Sequence, residues 1–438
     1  MPAQSPYLIA LALGSIVLLL VLILAAKMHA FLALLLASMA LGLAAGMRPA
    51  AVLKSIQSGF GEALGFIAVV VALGAMIGRY LEHSGGGSAL ADWLLGKFGR
   101  ERAAWAVLAA AFLIGLPIFF EVGFIILAPL VASLARESKR SLLYYGMPMA
   151  AALTVTHALV PPHPAPAAAA QLLGADLGRT MLFGIGVSIP MAIAGGIFYG
   201  GWIARRIFVA PPEAIAPKEQ SKQPAPPVFL VALILLLPVL LILAASIVRT
   251  SAILGFLGHP FTALTVAALA SMFFFGFRRG LTRDQVSRLA VDSLMPVGTL
   301  LAIMGGGGAF KQVIVDSGVG PYAGKLLANS NISPLVVAYL IAAAMRIAQG
   351  SATVAIITAA GIVAPLVKGL HGYSPEILVL AVSCGGTILS HVNDAGFWLV
   401  NQYFGMSVPD TLRSWSAMKV LVSLLGFAIV LVAHALLP

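Results

Sequence analysis

Charged residues are scarce in this chain, and cysteine is almost absent. Only 9% of its 438 residues are Asp, Glu, Lys or Arg, whereas 61% are hydrophobic. This balance excludes a soluble globular protein and indicates an α-helical protein that crosses a membrane several times. Long continuous apolar runs also exclude an outer-membrane barrel, whose strands alternate apolar and polar residues. The single cysteine, Cys384, excludes an intramolecular disulfide.

Acidic residues are scarcer than basic ones, with 15 Asp and Glu against 26 Lys and Arg. The basic residues cluster in short loops between apolar runs, which is typical of cytoplasmic loops and not of a nucleic-acid surface. The first apolar run, 7–26, follows a segment without Lys or Arg and has no clear cleavage site, so it is predicted to be a retained span. We therefore expect a periplasmic N-terminus and no nucleic-acid partner.

The apolar runs have the length that a hydrocarbon core of about 30 Å requires. A polar linker at 205–227, predicted to be cytoplasmic from its Lys and Arg residues, separates two halves. The first half, 1–204, has predicted spans near 7–26, 29–46, 64–80 and 180–203 and broken segments at 103–135 and 141–173. The second half, 228–438, has predicted spans near 228–248, 253–275, 290–315 and 415–437 and broken segments at 334–367 and 376–403.

The second half repeats motifs of the first. Ser84-Gly85 recurs as Ser317-Gly318, Ala128-Pro129 as Ala364-Pro365, and Gly174 as Gly405. The nearly constant offset of about 230 residues indicates an internal duplication. Since each half is expected to cross the membrane an odd number of times, the repeats are predicted to be inverted. Inverted repeats with interrupted helices are typical of secondary transporters, whose site lies near the midplane.

A proline-rich stretch, 157–166, interrupts the apolar segment 141–173. Four of the six residues 161–166 are proline, which removes backbone donors and forces extended geometry. At membrane depth such backbone is tolerated only where it is buried in protein or lines an aqueous cavity. Its histidines, His157 and His163, add titratable groups. A kinked structural helix is the alternative, although a single proline suffices for a kink.

Three further stretches, 115–123, 346–353 and 390–396, interrupt apolar segments in the same way. Backbone amides at a helix restart offer an anion site. We expect the four interruptions to meet at one site, where substrate is bound by His163, Arg346, Gln349, Ser351, Thr353 and Asn393. The residues predicted to carry a coupling proton are Glu121 and Asp394, with His157 and His391 as rivals.

Charged residues at membrane depth have two interpretations. A charge at the bilayer centre costs roughly 2.5–3.5 kcal/mol on insertion scales, so it is usually paired or functional. Arg346 either pairs with Asp394 or contacts a substrate carboxylate directly. Glu121 is either a proton carrier or a structural carboxyl. The sequence alone leaves both choices open.

Other motifs favour structural roles. The run Gly305-Gly306-Gly307-Gly308 lacks the Lys-Ser/Thr of a phosphate-binding loop, so close helix packing is predicted. The chain has no HExxH or paired CxxC motif, and we expect no metal. Three tryptophans near span ends are predicted to be interfacial anchors: Trp93, Trp202 and Trp415.

Five motifs resemble the gluconate permease family. They are GLPIFFEVGF (115–124), HALVPPHPAP (157–166), GGGGAFKQVIVDSGV (305–319), RIAQGSATVA (346–355) and SHVNDAGFW (390–398). They occur in the family's order, and the resemblance covers nearly the whole chain. The chain departs from the family pattern at Ala165, Ala167 and Ala395, which leaves the exact substrate open.

The resemblance implies a proton-coupled symporter that takes up gluconate or a related sugar acid across the bacterial inner membrane. It also implies membership of a larger ion-transporter group, in which transport elements move against a dimerising scaffold. We therefore expect an all-α integral membrane protein of two inverted repeats with broken or re-entrant helices meeting at a central site. A homodimer, a small organic anion as substrate, a lipid bilayer as surroundings and no cofactor besides the driving proton are expected.

Three alternatives stay open at this point. The same fold could carry another small carboxylate, such as D-serine or fructuronate. A membrane-embedded metalloenzyme would use the histidines for catalysis. A passive channel would also contain broken helices, but it would not accumulate its solute.

Overall fold

The computed structural model describes residues 5–212, 224–248, 251–295, 297–319, 332–367, 372–391 and 394–436. Every regular element within these ranges is a helix. The first half contains α1 (Ser5–Leu24), α2 (Ala30–Ala44), α3 (Pro49–Ser84), α4 (Gly86–Phe98), α5 (Ala103–Gly115), α6 (Phe120–Ser138), α7 (Leu143–Leu159), α8 (Pro164–Leu173), α9 (Leu177–Ala192) and α10 (Gly200–Ala204).

The helices of the second half are α11 (Val228–Ile247), α12 (Ala252–Leu257), α13 (Pro260–Ser271), α14 (Arg283–Leu294), α15 (Val297–Asp316), α16 (Pro334–Gln349), α17 (Ala352–Val367), α18 (Pro375–Thr387), α19 (Ala395–Phe404), α20 (Val408–Thr411) and α21 (Ala417–Leu436). Two π-helical turns, Ile193–Tyr199 and Leu412–Ser416, join α9 to α10 and α20 to α21.

Seven helical stretches of the described chain are long and apolar enough to cross a membrane. Large apolar side chains stand on the outer surface, among them Phe229 and Ile247, which are 79% and 75% exposed. A soluble protein does not leave so much apolar surface in water, whereas lipid tails cover it without cost. The protein is therefore a multi-pass membrane protein, as its composition predicts.

The stretch Leu143–Leu173 differs from the other spans because it is enclosed by protein. Within an 18-residue apolar segment of this stretch, 89% of the residues are buried, compared with 33% in such a segment of Val228–Ile247. This stretch contains the proline-rich interruption, whose extended backbone leaves amides and carbonyls without helical partners. Burial inside the protein is the condition under which such backbone is tolerated at membrane depth.

The two halves share one succession of elements. Helices α5 to α10 correspond to α16 to α21, with breaks at matching points. Helix ends also match, because Gly85 and Gly318 have φ values of 71° and 78°, and Gly174 and Gly405 have values of 73° and 62°. Glycine adopts this left-handed conformation without a steric penalty and commonly ends helices. The duplication and the all-α fold with broken helices, both predicted from the sequence, are present in the structure.

Helix α3 is longer than the sequence pattern indicates. A span at 64–80 was expected after a separate amphipathic piece, but one helix runs without a break from Pro49 to Ser84. Proline suits the first position of a helix, and Gly85 ends it. The interior glycines each cost roughly 1 kcal/mol of helix stability, which packing against α15 offsets. Of the predicted linker 205–227, residues 213–223 lie outside the described residues.

Helices α3 and α15 touch backbone to backbone. A Cβ atom added at Gly59 would lie 2.4 Å from the carbonyl oxygen of Gly308, and one added at Gly308 would lie 2.4 Å from that of Gly59. Gly305 meets the ring of Phe60 in the same contact. Small residues permit this approach, and van der Waals packing is a main force between helices in a membrane. The glycine run 305–308 has the packing role that the sequence predicts.

Candidate functional site

Four helix interruptions define the candidate site. In the first half α5 ends at Gly115 and α6 begins at Phe120, while α7 ends at Leu159 and α8 begins at Pro164. In the second half the corresponding breaks separate α16 from α17 and α18 from α19. Each break leaves backbone groups without intrahelical partners, and those groups need other donors and acceptors. Side chains from the sequence-predicted site supply several of them.

In the first half a histidine joins the two breaks. The buried His163, which precedes α8, donates from Nε2 to the carbonyl oxygen of Gly115 at 2.5 Å. The ring of His157 lies 4.9 Å from that of His163, and Phe119 packs against both at 6.2 and 6.3 Å. His163 at the start of α8 thus donates the hydrogen bond that the carbonyl at the end of α5 needs.

In the second half an ion pair joins the two breaks. Arg346 is 1% exposed, and its guanidinium donates to the carboxylate of Asp394 and to the carbonyl of Gly350. Ser390 also donates to Oδ2 of Asp394, and the backbone N–H of Gly396 donates to Oδ1 at 3.0 Å. Asp394 is therefore the N-cap of α19 as well as the partner of a buried arginine.

A polar side-chain contact connects the two halves at the site. His157 Nε2 and Thr353 Oγ1 are 3.2 Å apart. Thr353 lies in the first turn of α17, and Ser351 caps that helix by accepting from the N–H of Val354 at 3.4 Å. The structure therefore brings together His157, His163, Arg346, Asp394, Ser351 and Thr353 at the meeting point of the four breaks.

Two predicted residues stand at the edge of this group. Glu121 lies in the first turn of α6, where the helix dipole favours a carboxylate. Its side chain is exposed, forms no ion pair with a described residue, and lies near enough to Asp394 for their charges to interact. His391 Nε2 donates to the carbonyl of Ile347 at 3.0 Å. This contact ties the fourth break to the end of α16.

Two further predictions fall outside this description. Asn393 lies outside the described residues, and Gln349 is described only through its backbone, as the last residue of α16. A cleft lies beside the first-half breaks, lined by Phe119 and His163 on one side and by Gly74 of α3 on the other. The site therefore adjoins α3, one of the two helices in the glycine contact.

Sequence reasoning missed two residues of α21 and the turn before it. Trp415, predicted to be an interfacial anchor, is 2% exposed and donates from Nε1 to Ser390 Oγ at 2.7 Å. That prediction was wrong because an aromatic residue near a span end has the same sequence signature whether it faces lipid or protein. Lys419, with 4% of its surface exposed, lies next to Trp415. Its signal was a single charge within the apolar run 415–437.

The chain matches known transport proteins over nearly its whole length. The family model described as GntP family permease matches residues 7–436. A gluconate permease of Pseudomonas aeruginosa is 43% identical and is covered to 99%, as is this chain. The high-affinity gluconate transporter of Escherichia coli is 42% identical, with 96% of this chain and 97% of that protein covered. The L-idonate transporter of the Gnt-II system of the same organism is 40% identical, with 98% and 99% covered.

Two solved structures share the fold. The YdaH transporter of Alcanivorax borkumensis has a TM-score of 0.69 at 14% identity, with 93% of this chain and 98% of that chain covered. MtrF of Neisseria gonorrhoeae has a TM-score of 0.63 at 18% identity, with 86% and 83% covered. The family model and the curated relatives are those of transport proteins and not of an enzyme, which removes the metalloenzyme alternative. The chain belongs to the GntP family of permeases.

Proposed function

We propose that this permease imports gluconate or a related sugar acid across the bacterial inner membrane, together with protons. The curated relatives are named as transporters of gluconate and L-idonate. Both compounds are small polyhydroxylated carboxylates. A site for them needs a cationic group for the carboxylate and neutral hydrogen-bonding groups for the hydroxyls.

Unmet hydrogen-bonding capacity at the four breaks is the observation that carries this proposal. Arg346 Nε and His157 Nδ1 are buried and have no hydrogen-bond partner among the described residues. Buried polar atoms in native proteins almost always have a partner. A polyhydroxylated anion between the breaks supplies acceptors to Arg346 and partners to His157, and the Thr353 hydroxyl adjoins the same space. Arg346 therefore holds Asp394 with one edge of its guanidinium and offers Nε to the substrate.

Glu121 is the favoured proton carrier in this proposal. The carboxylate of Asp394 already accepts from Arg346, Ser390 and the backbone of Gly396. The carboxylate of Glu121 accepts from its own backbone N–H and forms no ion pair with another described residue, so its protonation breaks no ion-pair network there. Protonation removes a negative charge close to Asp394 and thereby favours binding of an anion at the breaks. By linkage, the bound anion favours protonation to the same extent.

Movement of the broken helices against a scaffold completes the proposed cycle. The cleft between Phe119, His163 and Gly74 lies where the break-bearing helices adjoin α3. The glycine contact makes α3 and α15 one packed unit. We propose that this unit belongs to the scaffold, that the protein is a homodimer, and that the linker 205–227 is cytoplasmic with a periplasmic N-terminus.

Uptake of labelled gluconate into proteoliposomes, with and without an inward proton gradient, tests the function. We expect accumulation that requires the gradient and that sugar acids inhibit. Equal uptake under both conditions would contradict proton coupling, and accumulation of D-serine without gluconate uptake would favour the alternative substrate.

The proton carrier is tested with Glu121→Gln in the same assay. The variant should lose gradient-driven accumulation and retain exchange of internal for external gluconate, because exchange needs no net proton movement. Glu137→Gln is the matched control, since Glu137 is an exposed carboxylate at the other end of the same helix. Full gradient-driven accumulation in both Glu121→Gln and Asp394→Asn would refute the assignment of the proton to these carboxylates.

A further inference from the structure

A buried lysine, Lys419, lies beside the site. It is 4% exposed, and among the described residues its ammonium group forms no ion pair. The ammonium group faces the ring of Trp415, whose centre lies 5.4 Å from Nζ. A cation–π contact at this distance replaces only part of the lost hydration of an ammonium ion.

The carboxylate of Asp394, which lies near Lys419, already has other hydrogen-bond partners. Lys419 lies close enough to Arg346, Asp394 and His157 for their charges to interact. Asp394, however, is engaged through Oδ2 by Arg346 and Ser390 and through Oδ1 by the backbone. Two buried basic side chains therefore lie near one carboxylate, and Lys419 has no counter-charge among the described residues.

The internal duplication offers a comparison for the position of this lysine. The offset that relates Gly174 to Gly405 relates Ser188 to Lys419. Ser188 is fully buried, is neutral, and donates from Oγ to the carbonyl of Val155 at 3.4 Å. The same helix position is therefore filled in the first half by a small hydrogen-bonded residue. A buried charge in the second half needs a functional reason.

The surroundings of Lys419 hold it at the breaks. Trp415 is fixed by its hydrogen bond to Ser390, which is itself bonded to Asp394, and the ring of Trp415 packs against that of Phe120 at 5.5 Å. Phe120 is the first residue of α6, directly after the first break. The ring that contacts the ammonium thus bridges the first and fourth breaks.

We propose that Lys419 binds the carboxylate of the transported sugar acid and that this carboxylate is its counter-ion. The proposal rests on the proposed function, because it assumes a small organic anion as substrate. Arg346 and His157 then face the hydroxyl-bearing part of the molecule. The carboxylate neutralises the second cation of the cluster, which a neutral polyol cannot do.

Lys419→Met tests this assignment because methionine has similar length and no charge. We expect gluconate binding to the purified full-length protein, measured calorimetrically, to weaken at least tenfold. Binding of gluconamide, the neutral amide of the same acid, should stay within twofold of wild type. Removal of an uncompensated buried charge should also raise the melting temperature of the substrate-free protein. Lys97→Met is the matched control, since Lys97 stands over Trp93 at 5.8 Å on the exposed surface of α4.

The outcomes separate this inference from the proposed function. Gluconate binding that is unchanged in Lys419→Met, or that falls equally for gluconate and gluconamide, would overturn the role of Lys419 alone. A wild-type protein that binds no sugar acid would overturn the proposed function, and the role of Lys419 with it. A lowered melting temperature, or loss of folded protein in both Lys419→Met and Lys419→Gln, would show that the ammonium stabilises the substrate-free fold and would overturn the assignment of the substrate as its counter-ion. Lys419→Arg, which keeps the charge, should bind gluconate within tenfold of wild type.

Discussion

The buried ion pair between Arg346 and Asp394 should contribute far more to stability than a pair on the surface. The two side chains are 1% and 13% exposed. Asp394→Asn keeps the shape of the side chain and removes its charge. The guanidinium would then stay buried without a counter-charge, with the ammonium of Lys419 nearby. Breaking a buried pair by removing one partner costs about 3–5 kcal/mol, and we expect a loss of this size.

The chain offers a surface pair as an internal control. Arg100 and Glu137 approach to 3.4 Å, but their side chains are 88% and 53% exposed. Solvent screening leaves such a pair with about 0–1 kcal/mol. Glu137→Gln should therefore change thermal unfolding in detergent very little, whereas Asp394→Asn should lower the unfolding temperature clearly.

A double-mutant cycle measures the interaction itself. Arg346→Met should also destabilise the protein, because the carboxylate of Asp394 would lose its buried partner. The double variant Arg346→Met with Asp394→Asn should lose less than the sum of the single variants, with an interaction energy of about 0.5–3 kcal/mol. Strictly additive losses of stability in the double variant would refute the argument that this pair stabilises the fold. Equal melting temperatures of Asp394→Asn and Glu137→Gln would refute it as well.

Two further predictions concern packing and substrate binding. Gly308→Ala should destabilise the protein by about 1–3 kcal/mol in thermal unfolding, because its Cβ would lie 2.4 Å from the carbonyl oxygen of Gly59. The control is Gly298→Ala on the same helix, where a Cβ would have nothing within 4 Å, and it should be neutral or stabilising. Thr353→Val should raise the KM for gluconate by about three- to tenfold, the loss of one hydrogen bond, whereas Thr353→Ser, which keeps the hydroxyl beside His157, should stay within about twofold. Equal melting of the two glycine variants, or equal KM values for the two Thr353 variants, would contradict these arguments.

The positions of the breaks were readable from the sequence because they depend on local chemistry. Proline cannot donate a backbone hydrogen bond, and glycine permits the conformation that ends a helix. Both effects act within a few residues, so 157–166 and the glycines at 174 and 405 mark breaks and helix ends without knowledge of the fold. The pairing of Arg346 with Asp394 was one of two open alternatives, because it depends on residues separated by a whole helix.

The continuous α3 and the role of Trp415 show where local reasoning stops. Polar and glycine residues at 54–61 weaken the apolar pattern, yet α15 packs against this part of the helix and maintains it. Tertiary packing overrides propensity in such a case. For Trp415, the sequence shows only an aromatic residue at a span end. The fold shows that Ser390 Oγ accepts a hydrogen bond from its indole N–H.

The duplicated halves use one geometry with different chemistry. His163 and Asp394 stand at equivalent positions of the repeat, and each begins the second broken helix of its half. Each is also linked, directly or through a second side chain, to a glycine carbonyl at the end of the first broken helix. His163 donates to Gly115 directly, whereas Asp394 holds Arg346, which donates to Gly350.

Of these two connections between broken helices, only the one in the second half contains permanently charged groups. An orphan carbonyl at a helix end needs a donor, and a neutral imidazole meets that need with a single group. The second half meets it with a guanidinium and a carboxylate, so it keeps a cation at the break. Lys419 adds a second cation on the same side, where the first half has the neutral Ser188. An anion entering between the halves would therefore bind toward the second half, with its hydroxyls facing His157 of the first.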